Sequence, residues 1–170
     1  MDTLVNKLRY TFPDIIFSIG NTFSWSPATK TISYPNNVSD KTVGAWSLLH
    51  ETGHAQLKHT NYSLDIDLLL MEVQAWEKAK EIGLLTGYNI DENHIQDCLD
   101  TYRDWLHKRS TCPRCGLVCL QTTPQKYNCH NCQNIWDVTA SRFCRPYRRM
   151  NAKNQKKPLQ KHNASSTTFL

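Results

Sequence analysis

No long apolar run occurs in these 170 residues. The longest purely aliphatic stretch is Leu68–Met71, four residues, where a membrane-spanning helix needs about 20. The opening MDTLVNKLRYTF has no basic segment leading into an apolar one, so neither a secretory signal nor a membrane partner is expected. No internal repeat is present. Acidic residues are missing from Val138 to the end, where eight Lys and Arg fall. Residues 1–137 hold the other twelve bases and all fifteen acids, a local balance of −3 beneath an overall charge of +5. A slightly acidic body thus carries a basic tail. Such a tail suits nucleic acid or another anionic partner, or serves only as a solvated extension.

The cysteines do not form the even set of a disulfide framework. There are seven. Four sit in two C-x-x-C pairs, Cys112/Cys115 and Cys129/Cys132, and Cys98, Cys119 and Cys144 stand alone. An odd count with C-x-x-C pairs and no signal points to metal binding in a reducing, cytoplasmic compartment. The length allows one real core with a small appended module.

Residues 2–11 form a short helix stopped at Phe12-Pro13. IIFSIG (15–20), TFSW (22–25) and KTISYP (30–35) read as short strands, two of them paired as a hairpin around SPATK. Ser39-Asp40 starts a helix over Thr42–His59, in which Val43, Trp46, His50, Gly53, His54 and Leu57 share one face. A second helix, about Leu64–Leu85, is capped by Ser63 or Asp65 and ends near Gly83 and Gly87. A third, about Asp91–Lys108, turns Ile95, Cys98, Leu99, Tyr102, Trp105 and Leu106 to its apolar side.

The first of these helices carries His50-Glu51-Thr52-Gly53-His54. Histidines at i and i+4 project from one helix face, so both imidazoles can reach a single Zn²⁺. Catalytic zinc commonly has three protein ligands and leaves its fourth position to water. Glu51, beside the first ligand, is placed as general base for that water. Gly53 leaves space near the metal. A metzincin would need Gly at 57 and His at 60, but Leu57 and Thr60 stand there, which excludes that class. His59 lies five residues past His54, off the ligand face, and reads as a surface histidine or one behind the ligands. The candidate third ligand is Glu72. Leu68 and Leu69 precede it and Ala75, Trp76 and Ala79 follow at helical spacing, so one carboxylate sits on an apolar stripe. Such a group needs a partner, and a zinc ion is one. Glu77 and Glu81 read as solvated, and Asp65 and Asp67 as first-turn helix acids. Tyr34 and His59 are candidate oxyanion stabilisers. The KTISYP strand is a candidate edge for an extended peptide.

AWSLLHETGHAQLKH followed by MEVQAWEKA resembles the gluzincin-type zinc peptidases, in particular the ImmA/IrrE-like group, over roughly residues 30–85. The resemblance implies His50, His54 and Glu72 as ligands, Glu51 as general base, and cleavage of a protein substrate such as a regulatory protein. The chain departs from that pattern by its cysteine module.

In that module thirteen residues separate Cys112-Pro-Arg-Cys115 from Cys129-His-Asn-Cys132, the spacing of a zinc ribbon holding a structural Cys₄ zinc. Gly116 relieves the turn after the first pair. Gln133 occupies the equivalent place after the second pair, and His130 would substitute as a ligand only with distorted geometry. Cys98 and Cys119 read as small packed hydrophobes. Arg114, Lys126, Tyr127, Trp136 and the tail are candidates to grip nucleic acid, the aromatics stacking on bases.

The fold class is therefore α+β. A zincin-like domain over 1–109, a small antiparallel sheet packed on the HExxH helix and the helices after it, precedes a zinc ribbon over 110–140. A basic, disordered tail is expected over 141–170. The expected function is a zinc endopeptidase with one catalytic and one structural Zn²⁺. Two alternatives stand beside it. SprT-like proteases, which act on proteins attached to DNA, also join HExxH to a ribbon but use a third histidine. A non-enzymatic nucleic-acid or protein adaptor would keep zinc only for its fold.

Overall fold

The computed structural model describes residues 1–139 and 149–150. The chain forms two compact units, the first over Met1–Leu106 and the second from His107 onward.

The first unit begins with helix α1 (Asp2–Thr11) and strands β1 (Ile16–Gly20), β2 (Ser24–Ser26) and β3 (Thr31–Pro35). Helices α2 (Lys41–Gln56), α3 (Asp65–Thr86) and α4 (Glu92–Ser110) follow, and α4 ends within the second unit. The expected hairpin is β2–β3, paired from Ser24↔Ser33 to Ser26↔Thr31. The sheet is not wholly antiparallel, however. Its order is β1-β3-β2, and β1 runs parallel to β3 from Ile16↔Thr31 to Gly20↔Pro35. The chain crosses from one side of β3 to the other before the hairpin returns it to the middle. Side-chain alternation reports which face of a strand is buried and says nothing of strand direction, so the sequence pattern could not separate the two arrangements. One consequence is that β3 is the central strand and offers no free edge to a peptide; β1 and β2 are the edges.

Helix α2 lies at the heart of this unit. Asp40 caps it, Oδ1 accepting the N–H groups of Thr42 and Val43 at 2.8 and 3.1 Å. The burial is broader than a single amphipathic face: Ala45, Leu48, Leu49, Thr52 and Ala55 are inside along with His50, Gly53 and His54. Leu57 is the C-cap residue and is 37 % exposed. Helix α3 starts at Asp65, with Leu64 as N-cap, so neither Ser63 nor Asp65 caps it. Instead Asp67 reaches back to accept the Leu64 N–H at 2.8 Å. Gly87, at φ 84°, closes α3 in the left-handed conformation. Leu4 and Leu8 of α1, Phe17 and Ile32 of the sheet, Leu48 and Leu49 of α2, and Trp76, Ala79 and Ile82 of α3 share one core with Ile95 and Leu99 of α4.

Helices α2 and α3 come into close contact at Gly53. A Cβ there would meet the Ala75 carbonyl oxygen at 2.4 Å. This glycine therefore makes room for the neighbouring helix backbone rather than for the metal.

The second unit holds β4 (Gln121–Thr123), β5 (Lys126–Asn128), β6 (Ile135–Asp137) and β7 (Arg149–Met150), hydrogen-bonded in that order. Strand β7 pairs Trp136↔Met150 and Asp137↔Arg149, so two residues of the expected tail are strand; the rest of that tail, with Cys144, lies outside the described residues. Tyr127 and Trp136 stack at 5.3 Å and are 1 % and 0 % exposed. They form the centre of a small core with Cys112, Cys119, Cys129 and Val138, and the Trp136 indole donates to the Arg109 carbonyl at 2.9 Å. Buried in this way, neither ring is available to stack on a nucleic-acid base. An unassisted core of this size needs every aromatic it has.

Gly53→Ala must force α3 away from α2, since its Cβ faces a backbone atom that no rotamer can move. We expect a loss of about 1–3 kcal/mol, read as a lowered thermal midpoint. An unchanged midpoint would show that the helices part freely.

Candidate metal centre

His50 and His54 stand one turn apart on α2, and Glu72 faces them from α3. The two Nε2 atoms are 3.1 Å apart. Glu72 sets Oε2 at 3.1 Å from His50 Nε2 and Oε1 at 3.7 Å from His54 Nε2. All three side chains thus turn a donor atom to one point, with every pair of donors within 4.8 Å. A tetrahedral zinc-sized cation bound at about 2.0–2.1 Å needs donors about 3.3 Å apart, so the spacing fits. Glu72 is only 6 % exposed. Burial pushes its carboxyl up, but hydrogen bonds and charge from His50 and His54 outweigh that and hold it at about 2. The acid on the apolar stripe is therefore an ionised carboxylate between two imidazoles.

Glu51 lies on the same helix outside this donor set. Burial raises its carboxyl above the ordinary 4.5 against the pull of His50 and His54; Glu72 adds to the rise, and a hydrogen bond from the Trp25 backbone opposes it. That contact comes from edge strand β2, whose placement over α2 no local pattern encodes. The two histidines are held in different ways. His50 stacks on Trp76 at 4.2 Å with an interplanar angle of 27°, and its Nδ1 is buried without a hydrogen-bond partner among the described residues. His54 instead pairs Nδ1 with Nδ1 of His59 at 2.9 Å. His59 is thus directly behind a candidate ligand. Burial, then the charge of His54, holds its ring below the ordinary 6.5. Tyr34 is buried in the core as a strand residue. Glu77 and Glu81 are exposed, and Asp65 and Asp67 lie in the first turn of α3.

The second donor set is in the cysteine module. Cys112, Cys115, Cys129 and Cys132 present four sulfurs within 4.8 Å of one another. Cys112–Cys132 and Cys115–Cys129 are 3.6 and 3.5 Å apart, near the about 3.8 Å expected of sulfurs at 2.3 Å in tetrahedral geometry. The two C-x-x-C turns have matching hydrogen bonds, Gly116 N–H to Cys112 O at 3.0 Å and Gln133 N–H to Cys129 O at 2.8 Å. Both turns then require a left-handed residue: Gly116 at φ 76° and Gln133 at φ 57°. Gln133 takes the conformation glycine usually supplies, and its amide donates to the His130 carbonyl at 3.1 Å. His130 itself is exposed and outside the cluster. Cys119 is buried beside the four, its thiol donating to Leu117 O at 3.4 Å. Burial and the neighbouring Cys129 push that thiol up to about 11, as fits a packed, protonated cysteine. Burial and its sulfur neighbours likewise push Cys132 up to about 12. Burial acts upward on Cys129 too, but the backbone N–H groups of Cys132 and Asn131 draw it down to about 6. Sulfurs this close cannot all ionise without a cation among them.

Against family models, curated proteins and solved structures, the chain has no match. Among the described residues no helix is long and apolar enough to cross a membrane.

The two sets are separate and should load independently. Glu72→Ala is expected to lose one of two metal equivalents, and Cys129→Ser the other, by elemental analysis of the purified chain. Retention of both metals in Glu72→Ala would remove Glu72 from the ligands.

Proposed function

We propose that this chain is a zinc-dependent endopeptidase, with zinc held by His50, His54 and Glu72 and with Glu51 as general base. The observation that carries the reading is the contrast between the two donor sets. The cysteine set supplies four ligands and is complete, as structural sites are; the other supplies three and leaves a position open, with a carboxylate beside it that is not needed as a ligand. A purely structural site has no use for that carboxylate. Two imidazoles with a carboxylate suit zinc, which when bound would acidify a water and polarise a carbonyl.

The remaining steps belong to side chains. Glu51, partly buried and held by the Trp25 backbone, takes a proton from the attacking water and returns it to the leaving amine. Glu72 stays ionised and offsets the cation's charge. Edge strand β2, whose backbone reaches Glu51, is the strand along which an extended peptide would lie. The resemblance to ImmA/IrrE-like gluzincins supports the same assignment, and a histidine third ligand, as in SprT-like proteases, has no counterpart in the cluster. The cysteine module is read as a zinc ribbon appended to a zincin-like domain. The whole is read as acting on a protein substrate in the cytoplasm.

Glu51→Gln keeps the shape and removes the base. With a mixed peptide library read by mass spectrometry, cleavage should fall by about 10²–10⁴-fold while both metals remain. Equal cleavage by the two proteins would sink the reading.

A further inference from the structure

His59 is held from three directions. The end of α2 turns back on itself: Lys58 N–H bonds Ala55 O at 3.1 Å, and His59 N–H bonds His54 O at 3.0 Å. Lys58 sits at φ 54°, the left-handed helix stop that glycine normally occupies. An L-residue is strained there, yet the turn folds His59 back over the last helical residues. From β2, the Trp25 indole donates to the His59 carbonyl at 3.0 Å. From α3, the Gln74 side chain hydrogen-bonds the His59 ring, in the sense that favours its N–H. The result is the 2.9 Å contact between Nδ1 of His59 and Nδ1 of His54, edge to face at 5.0 Å between ring centres.

Two facing ring nitrogens can bond only if one carries the proton. A ligating imidazole nitrogen must be bare. With His54 Nε2 turned to the donor cluster, its proton resides on Nδ1, which donates to His59. The His59 ring then accepts at Nδ1 and carries its own proton on Nε2, leaving that N–H for the Gln74 amide oxygen. This fixes the direction of every bond in the row. It also places the accepting nitrogen of His59 on the side of His54 away from the metal position.

We propose that His59, supported by Gln74, is a positioning residue that locks the tautomer and ring orientation of His54 for metal binding. The role is one that a carboxylate or backbone carbonyl commonly fills behind a metal-bound histidine. His50 has no equivalent and relies on its stack with Trp76. The proposal rests on the reading of His50, His54 and Glu72 as a metal centre.

The test is zinc affinity of the full chain, by competition with a chromogenic chelator, with the four-cysteine site as internal reference. His59→Ala should weaken zinc at the histidine centre by about 10–100-fold and leave the cysteine site unchanged. His59→Gln, whose amide oxygen can accept the same N–H, should recover much of that loss. Gln74→Ala alters an exposed position and should give a smaller loss in the same direction; it carries the test if His59→Ala does not fold. Wild-type affinity in His59→Ala, or in Gln74→Ala where that variant stands in, overturns the proposal. So does His59→Gln binding no better than His59→Ala. In those cases two zincs in the wild type leave the peptidase reading standing. A wild type that binds zinc only at the cysteines removes both.

Discussion

Position 53 admits no side chain because the Ala75 carbonyl oxygen occupies the place where a Cβ would sit, 2.4 Å away. Helices packed through ordinary side chains stand about 8–10 Å apart, and a glycine beneath a neighbouring carbonyl lets them close further. Gly53 directly precedes His54, and Ala75 follows Glu72 by three residues, most of one turn. The backbone contact and the donor cluster are therefore one feature. Bringing α3 against α2 here is what lets a single carboxylate touch two imidazoles at once, with Ala75 and Ala79 keeping the rest of the interface thin. The other elements serve this crossing. Strand β2 restrains Glu51 and His59, Trp76 backs His50, and α1, the sheet and α4 bury the remaining faces.

The two donor sets solve different problems. In the first unit the fold has its own hydrophobic core, and a cation would add to a frame already built. Among its described residues the second unit buries two aromatics, Tyr127 and Trp136, and little else apolar beyond Val138 and its cysteines. There a cation held by the four cysteines would supply much of the folding energy. This difference in scaffolding, more than the identity of the ligands, separates a site free to leave a position open from one that must close.

Much of the candidate site was legible along the chain. The i, i+4 histidines, the carboxylate on an apolar stripe and the paired C-x-x-C turns are local patterns with local causes, and the structure brings their donor atoms together, with Glu51 beside the first set. Helix limits were legible to within a few residues because Asp40 and Gly87 are strong local signals. Other features were not. The parallel pairing of β1 with β3 depends on where the chain crosses, which alternation does not encode. The burial of Tyr127 and Trp136 depends on how the four short strands β4 to β7 close on one another. Of the two readings open for His59, at the surface or behind the ligands, the structure brings out the second, and the left-handed backbone at Lys58 that decides it has no glycine to announce it.

What the sequence by itself determined is the chemistry available: which donors exist, at what helical spacing, with which caps and breakers to hold them. Those follow from backbone geometry that repeats every few residues. The tertiary structure alone decided how those donors are oriented. Contacts between Gly53 and Ala75, Trp25 and His59, and Trp76 and His50 join elements whose approach depends on the packing of the whole core. No short window of residues carries that distance.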